Sequence, residues 1–232
     1  MTTIATWNCN MAFREKKYPL LEEDTDILVV PECENPETKG GWDEFTDWKW
    51  MGENDNKGLG VFTRNGISIE SVTEIEGCRY AMAVRTNLLD LLAVWAMNEK
   101  RNPRQRYIGQ VWTALQSYSD FVSDNAIVLG DFNWNIIWDE SPKSPLCGNF
   151  SETVEELNKH GLRSVYHQVT GDEFGEEASP TLFMHKKEDR PYHTDYVFFP
   201  EAMLKSADIS VGNYDEWIDA SDHMPIIIDV GE

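Results

Sequence analysis

The chain has 232 residues, a formal net charge of −21 and 12% aromatic side chains. This length supports one large α/β or two-layer β domain, and nine Trp with ten Phe supply a substantial core, which excludes a disordered polymer. The acidic balance repels polyanions at long range and offers duplex nucleic acid no broad basic footprint, the dense basic stretch being Arg101-Asn102-Pro103-Arg104-Gln105-Arg106, which reads equally as a solvated face. No basic region followed by an apolar core opens the chain, so a signal peptide is not expected. No apolar run is long enough to span a membrane. Four scattered cysteines (Cys9, Cys33, Cys78, Cys147) lack paired metal-ligand spacing and are expected as reduced thiols of a cytoplasmic protein.

In chain order, a first strand is expected from Thr3 to about Trp7, then a short helix from Phe13 to Glu23. A second strand, Ile27-Leu28-Val29-Val30, stops at Pro31-Glu32. Asn35 to Asp55 reads as loop anchored by Trp42, Phe45, Trp48 and Trp50. Strands follow at Gly58–Phe62, Ile67–Ile75, Tyr80–Arg85 and Leu89–Ala96. Gln105 to about Phe121 is the clearest helix, because Ile108, Val111, Trp112, Leu115, Tyr118 and Phe121 recur at three- and four-residue spacing. Ala126-Ile127-Val128-Leu129 is a strand buried on both faces, which Gly130 is expected to end. Trp134 to Phe150 is irregular, and Glu152 to Lys159 is a helix ended by Gly161. Strands near Arg163–His167, Asp195–Phe199, Lys205–Ser210 and Pro225–Val230 close the chain. No linker and no internal repeat divides it, so residues 1–232 are expected as one mixed α/β domain.

Apolar strands repeatedly deliver a polar residue at an end. Asn8 and Asn10 follow the first strand, and Glu32 and Glu34 follow the second. Trp95 and Asn98 follow a third, Asp131 and Asn133 a fourth. Asp195 opens one strand, and Ser221-Asp222-His223 precedes the last. Asp131 and Asn133, two apart, can face one side. A carboxylate beside a neutral amide suits gripping a water and an anionic oxygen together. Convergent acids and amides with one His are what a phosphoesterase using a hard divalent cation requires. His160, before Gly161, reads as a helix-end surface residue, His167 as a structural residue in a strand, and Trp134 and Trp138 as packing residues that could also stack on a base.

The order Trp-Asn-x-Asn, a strand ending in Glu32, Gly-Asp-Phe-Asn, Thr-Asp-Tyr and Ser-Asp-His-x-Pro resembles the endonuclease/exonuclease/phosphatase superfamily from Trp7 to Pro225. The resemblance implies a four-layer α/β/β/α sandwich of two packed mixed sheets flanked by helices, and metal-dependent hydrolysis of phosphoester bonds by in-line attack of water. It implies a Mg²⁺ or Mn²⁺ site at Asn8 and Glu32, with Asn10 and Asp222 nearby. Asp131 would orient or deprotonate the water, Asn133 would donate to a phosphoryl oxygen, and Asp195 would orient His223 at the phosphate. Asn98 matches an Asn of abasic-site endonucleases. Asn10 stands where those enzymes often have Asp, and Trp95 stands where many members place a titrating His or Tyr. Trp95 cannot exchange a proton in that role, so a metal-bound water, His193, His185 or Arg101 would serve the leaving group. The expected substrate is nucleic acid or an oligonucleotide. A small phosphorylated metabolite or nucleotide is the alternative that the charge favours, and a weakly catalytic binding protein is the alternative that Trp95 and Asn10 favour.

Overall fold

The computed structural model describes residues 1–123, 126–143 and 145–231. Strand β1 (Thr2–Thr6) is followed by helices α1 (Phe13–Lys16) and α2 (Tyr18–Glu22), then by β2 (Ile27–Cys33), β3 (Asp47–Asn54) and β4 (Lys57–Thr63). Next come β5 (Ile69–Thr73), β6 (Ala81–Thr86) and β7 (Asp90–Trp95), helices α3 (Ile108–Ser117) and α4 (Ser119–Ser123), and β8 (Ile127–Asp131). The remainder is α5 (Phe150–Lys159), β9 (Leu162–Ser164), α6 (Val165–Thr170), the small pair β10 (Leu182–Phe183) and β11 (Pro191–Tyr192), β12 (Asp195–Pro200), β13 (Ala207–Val211), α7 (Tyr214–Trp217) and β14 (Ile226–Val230).

These strands form two six-stranded sheets, ordered β13-β14-β1-β2-β4-β3 and β5-β6-β7-β8-β12-β9. Each has one parallel pair at its centre, β1 with β2 and β7 with β8, and antiparallel neighbours elsewhere. Strands buried on both faces read as continuous apolar runs, as Ile27–Val30 of β2, Leu91–Trp95 of β7 and Ile127–Leu129 of β8 do, whereas β1 (Thr-Thr-Ile-Ala-Thr) is buried with threonines among its residues. The sheets face each other across a layer that includes Ile4, Val29, Val61, Met82, Leu91, Leu129, Val197 and Ile228. Behind the second sheet, α3 and α5 bury Ile108, Val111, Leu115, Phe150 and Leu157. Behind the first, Phe13 and Leu20 of α1 and α2 join Trp7, Trp42, Phe45 and Phe62. The result is the four-layer α/β/β/α sandwich.

Several boundaries differ from the sequence reading, each for a local reason. The Phe13–Glu23 helix is two, because Pro19 enters the first turn of α2. Part of the Asn35–Asp55 loop is β3, paired along β4, with Trp48 and Trp50 packed on the core. The long helix breaks at Tyr118, whose ring is buried and whose hydroxyl accepts from the Ile75 backbone N–H. The Arg163–His167 strand turns helical at Val165, so His167 lies in α6, which Gly171 stops in a left-handed conformation (φ 80°). The Lys205–Ser210 strand begins only at Ala207, after a 3₁₀ turn. Gly130 sits inside β8 rather than ending it, and a Cβ there would lie 1.9 Å from the Val94 carbonyl oxygen. No helix among the described residues is long and apolar enough to cross a membrane.

Candidate active site

Topology alone brings the polar strand ends together. In each sheet the central pair is parallel, so the C-terminal ends of β1 and β2, and of β7 and β8, lie on the same edge. β12 runs antiparallel to β8 with Asp195 opposite Asp131, and β14 runs antiparallel to β1, which places the approach to β14 on that edge too. Asn8, Glu32, Asp131, Asp195 and His223 therefore converge from both sheets.

A chain of short contacts joins them. Asn8 Nδ2 donates to Asp131 Oδ2 at 2.9 Å and to Glu32 Oε1 at 3.3 Å. The Asn133 backbone N–H donates to Asp131 Oδ1 at 2.7 Å, and its side-chain Nδ2 lies 3.2 Å from the Ala96 carbonyl and 3.5 Å from Asp131 Oδ2. His223 Nδ1 and Asp195 Oδ2 are 2.8 Å apart. Asp195 is fixed in turn by Thr194 Oγ1, which donates to its carboxylate, and by Thr181 Oγ1, which accepts from the Thr194 and Asp195 backbone N–H groups. Ser221 Oγ donates to the Asn8 carbonyl and accepts from the His223 backbone N–H, while the Trp7 indole donates to the His223 carbonyl. The site is thus clamped across strands far apart in sequence.

Backbone strain concentrates here. Asn10, Met11 and Ala12 are consecutive left-handed residues (φ 49°, 67° and 55°), and Lys16 Nζ ties the Cys9 and Asn10 carbonyls to that of Ala220. Asn133 (φ 50°) and Glu32 (φ 65°) are also left-handed, the latter at a shift in the β2–β4 register. Each such residue costs roughly 1–3 kcal/mol and persists where the surroundings enforce it.

Asp131, Asp195 and His223 are all buried, and each offers a ligand atom within 4.8 Å of the others'. Burial, then the neighbouring Asp195 carboxylate, push the Asp131 carboxyl far above the usual range. Burial opposes the His223 imidazolium, but Asp195 and Asp131 outweigh it and raise the imidazole well above its ordinary value. The cluster therefore holds at least one proton, centred on a charged His223 at neutral pH. Among the described residues Asp195 Oδ1 is buried without a hydrogen-bond partner. An orphaned carboxylate oxygen in a cluster of two carboxylates and an imidazole, with no thiolate, fits a hard cation better than a soft one.

The other expected residues are placed less uniformly. Asn10 lies beside Asn8, its backbone N–H donating to Asn8 Oδ1 at 3.1 Å, and Asp222 is half-buried next to His223. Exposed Asn98 lines a recess shared with Asn133. Trp95 is 2% exposed in the inter-sheet layer, against Tyr80. His193 is also 2% exposed; its Nδ1 bonds the Ser179 carbonyl and its ring packs on Tyr166 and Tyr196, away from solvent. Arg101 is exposed in a separate depression with Arg79 and Glu99. His160 bonds Ser123, and His167 bonds Ser164 and Glu177. Sequence reasoning missed Lys57, whose Nζ lies 2.9 Å from Glu32 Oε2 and 5.4 Å from the centre of the Trp95 ring. It also missed Thr181. Neither belongs to a motif; Lys57 would have been visible only had the Asp55-Asn56 turn and its hairpin been recognised.

The fold is that of the endonuclease/exonuclease/phosphatase superfamily, of the pancreatic deoxyribonuclease type. Among solved structures the chain is similar to the 3′ phosphatase NExo from Neisseria, bound to product DNA hairpin (TM-score 0.74, 19% identity, all of both chains). It is similar to an AP endonuclease from Archaeoglobus fulgidus (0.75, 16%, all of both chains) and to truncated TDP2 from Caenorhabditis elegans (0.67, 12%, 100% of this chain and 98% of that one). No protein-family model and no curated protein sequence matches the chain.

Proposed function

We propose that the chain is a single catalytic domain, a divalent-cation-dependent phosphoesterase of the nuclease and phosphatase kind. The observation that carries the reading is the buried Asp131–Asp195–His223 cluster joined through Asn8 to Glu32. A neighbour in fold that is a 3′ phosphatase bound to DNA supports a nucleic acid or nucleotide as substrate.

Two groups compete for the cation. At the cluster Asp195 Oδ1 is open to an ion, whereas ligation through Asp195 Oδ2 or His223 Nδ1 would break a buried 2.8 Å pair. Glu32 is the easier group to open, because its partner Lys57 is a long side chain, 38% exposed. Glu32, with Asn8 and Asp222 and with Asn10 adjacent, would therefore hold Mg²⁺ or Mn²⁺. When bound, such an ion neutralises phosphoryl charge and favours departure of the leaving oxygen. Asp131, its basicity raised by burial, accepts the proton of the attacking water. The charged His223 donates its Nε2–H to a non-bridging phosphoryl oxygen, with Nδ1 held by Asp195. Asn133, whose second N–H makes only the 3.5 Å contact to Asp131, donates to another. No nucleophilic Ser or Cys stands beside a base in this group, so no covalent enzyme intermediate is formed.

The test is a panel of phosphodiesters and phosphomonoesters assayed with Mg²⁺, Mn²⁺ and excess EDTA. Turnover with the metals and none with EDTA is expected. Full activity in EDTA contradicts the proposal.

A further inference from the structure

Beside the proposed phosphate site lies a recess of about 450 Å³, within the range of small-molecule sites. Asn98 and Asn133 are among its lining residues and Asn133 also bonds Asp131, so a substituent of a phosphoester whose phosphorus lies next to Asp131 can reach it. Its walls are aromatic: Tyr107, Trp134, Trp138 and Tyr192. The rings brace one another, Tyr107 on Trp134 at 6.1 Å, Trp134 on Trp138 at 5.6 Å and 78°, and Trp138 on Tyr192 at 5.1 Å. Asp139 accepts from the Trp134 indole at 2.9 Å and from the Phe150 and Ser151 backbone N–H groups, fixing the Trp134 wall to the start of α5. The walls are thus set before a ligand arrives, which lowers the entropic cost of binding. Two cations, Arg106 and Lys143, also line the recess of a protein whose net charge is −21.

Resting on the phosphoesterase reading, we infer that this recess is a nucleobase pocket for the nucleotide whose phosphate is attacked. Four aromatic rings lining a cavity of this size suit one planar heterocycle, whose stacking tolerates any base. Arg106 and Lys143 complement the partial negative charge of ring nitrogens and carbonyls. A cavity this small takes one nucleoside unit and not a length of helix, so recognition runs through a base at a chain end or on a free nucleotide. That suits an acidic protein, which gains nothing from tracking a polyanion.

The pocket is tested without turnover. Metal-free protein is titrated by calorimetry with deoxyadenosine 5′-monophosphate and, separately, with deoxyribose 5-phosphate, which lacks only the base. The nucleotide should bind ten- to a hundredfold more tightly, on the order of what one stacked base contributes. Trp138→Ala should reduce that preference to about one, and Trp138→Phe should restore most of it. Circular-dichroism melts check that the variants fold, and Tyr192→Ala gives a second route should Trp138→Ala not. Equal affinity for the two ligands in the wild type, or an unchanged preference in the folded variants, overturns the pocket. Nucleotide binding with no hydrolysis of any ester would remove the phosphoesterase reading and leave the pocket standing; hydrolysis of both ligands with equal KM would do the reverse. A short single-stranded oligonucleotide separates the two sources: tighter binding than the mononucleotide assigns the pocket to a chain end, weaker binding to a free nucleotide.

Discussion

Asp131, Asp195 and His223 carry charge in less space than three ionised groups tolerate, and protonation relieves it. His223 is raised to about 10 against an ordinary 6.5, so its pairing with Asp195 stabilises the fold fully below pH 6.5, and that contribution is lost as pH rises towards 10. Asp195→Asn should therefore cost about 3–5 kcal/mol near pH 6, the size expected when one partner of a buried pair is removed, and the deficit should shrink as pH approaches 10. Denaturant unfolding of both proteins at a series of pH values measures this, and a deficit independent of pH would show that Asp195 does not hold the proton on His223. In activity, Asp195→Asn combined with His223→Ala should be scarcely worse than His223→Ala alone, because groups acting as a unit are not additive. Lys57 makes the opposite kind of pair. Its ammonium neutralises the Glu32 carboxylate, so Lys57→Met should tighten Mn²⁺ binding severalfold by titration calorimetry, and weaker binding would mean that Lys57 organises the ligand rather than competing with the ion. The motif residues that the fold brings together were legible in the sequence because each stands at or near the end of a strand. Lys57 was not, since a single lysine on a hairpin has no pattern. His193 was misplaced because adjacency to Asp195 in sequence does not say which way the ring turns, and it turns into an aromatic cluster.

At the scale of elements, β2, β7 and β8 were the most legible part, since a strand covered on both faces tends to read as a continuous apolar run. The edge was not. β3 alternates Trp48 and Trp50 with Lys49, but its many polar residues look like a loop unless the register with β4 is known. α6 misled in the other direction: Val165, Tyr166 and Val169 have strand propensity, and only tertiary packing of Val165 and Tyr166 with the Gly171 stop makes the segment helical. The start of α5 was missed by two residues although Asn149 and Glu152 stand at the spacing of a capping box. Asn149 Oδ1 accepts from the Glu152 N–H while the Glu152 side chain accepts from the Asn149 N–H. Asn149→Ala should lower stability by about 1 kcal/mol in denaturant unfolding, with hydrolysis unaffected because the cap lies outside the reacting group. A loss of activity in the folded variant would show that the α5 start, through Asp139 and Trp134, sets the reacting group as well as the recess wall.

For the whole molecule, two six-stranded sheets with matched central parallel pairs explain why residues from Asn8 to His223 meet at one edge. Sequence order gave the residues but not their convergence, which depends on strand direction. The net charge of −21 also acts at this scale. Binding of a single-stranded oligonucleotide should weaken only slightly with added salt, or strengthen as repulsion is screened. A steep loss of affinity would reveal a basic groove, with Arg101, Arg104 and Arg106 the first residues to replace. The central claim, that this edge hydrolyses phosphoesters with a cation held at Glu32, is tested most directly by one comparison. Wild type, Glu32→Gln and Asp131→Asn are assayed for release of phosphate and nucleotide from a 3′-phosphorylated oligonucleotide in Mg²⁺. The wild type should turn over and stop on addition of EDTA, while each variant, still folded by circular dichroism, should fall by orders of magnitude. Equal rates in the three proteins, or in the wild type with and without EDTA, would contradict the account.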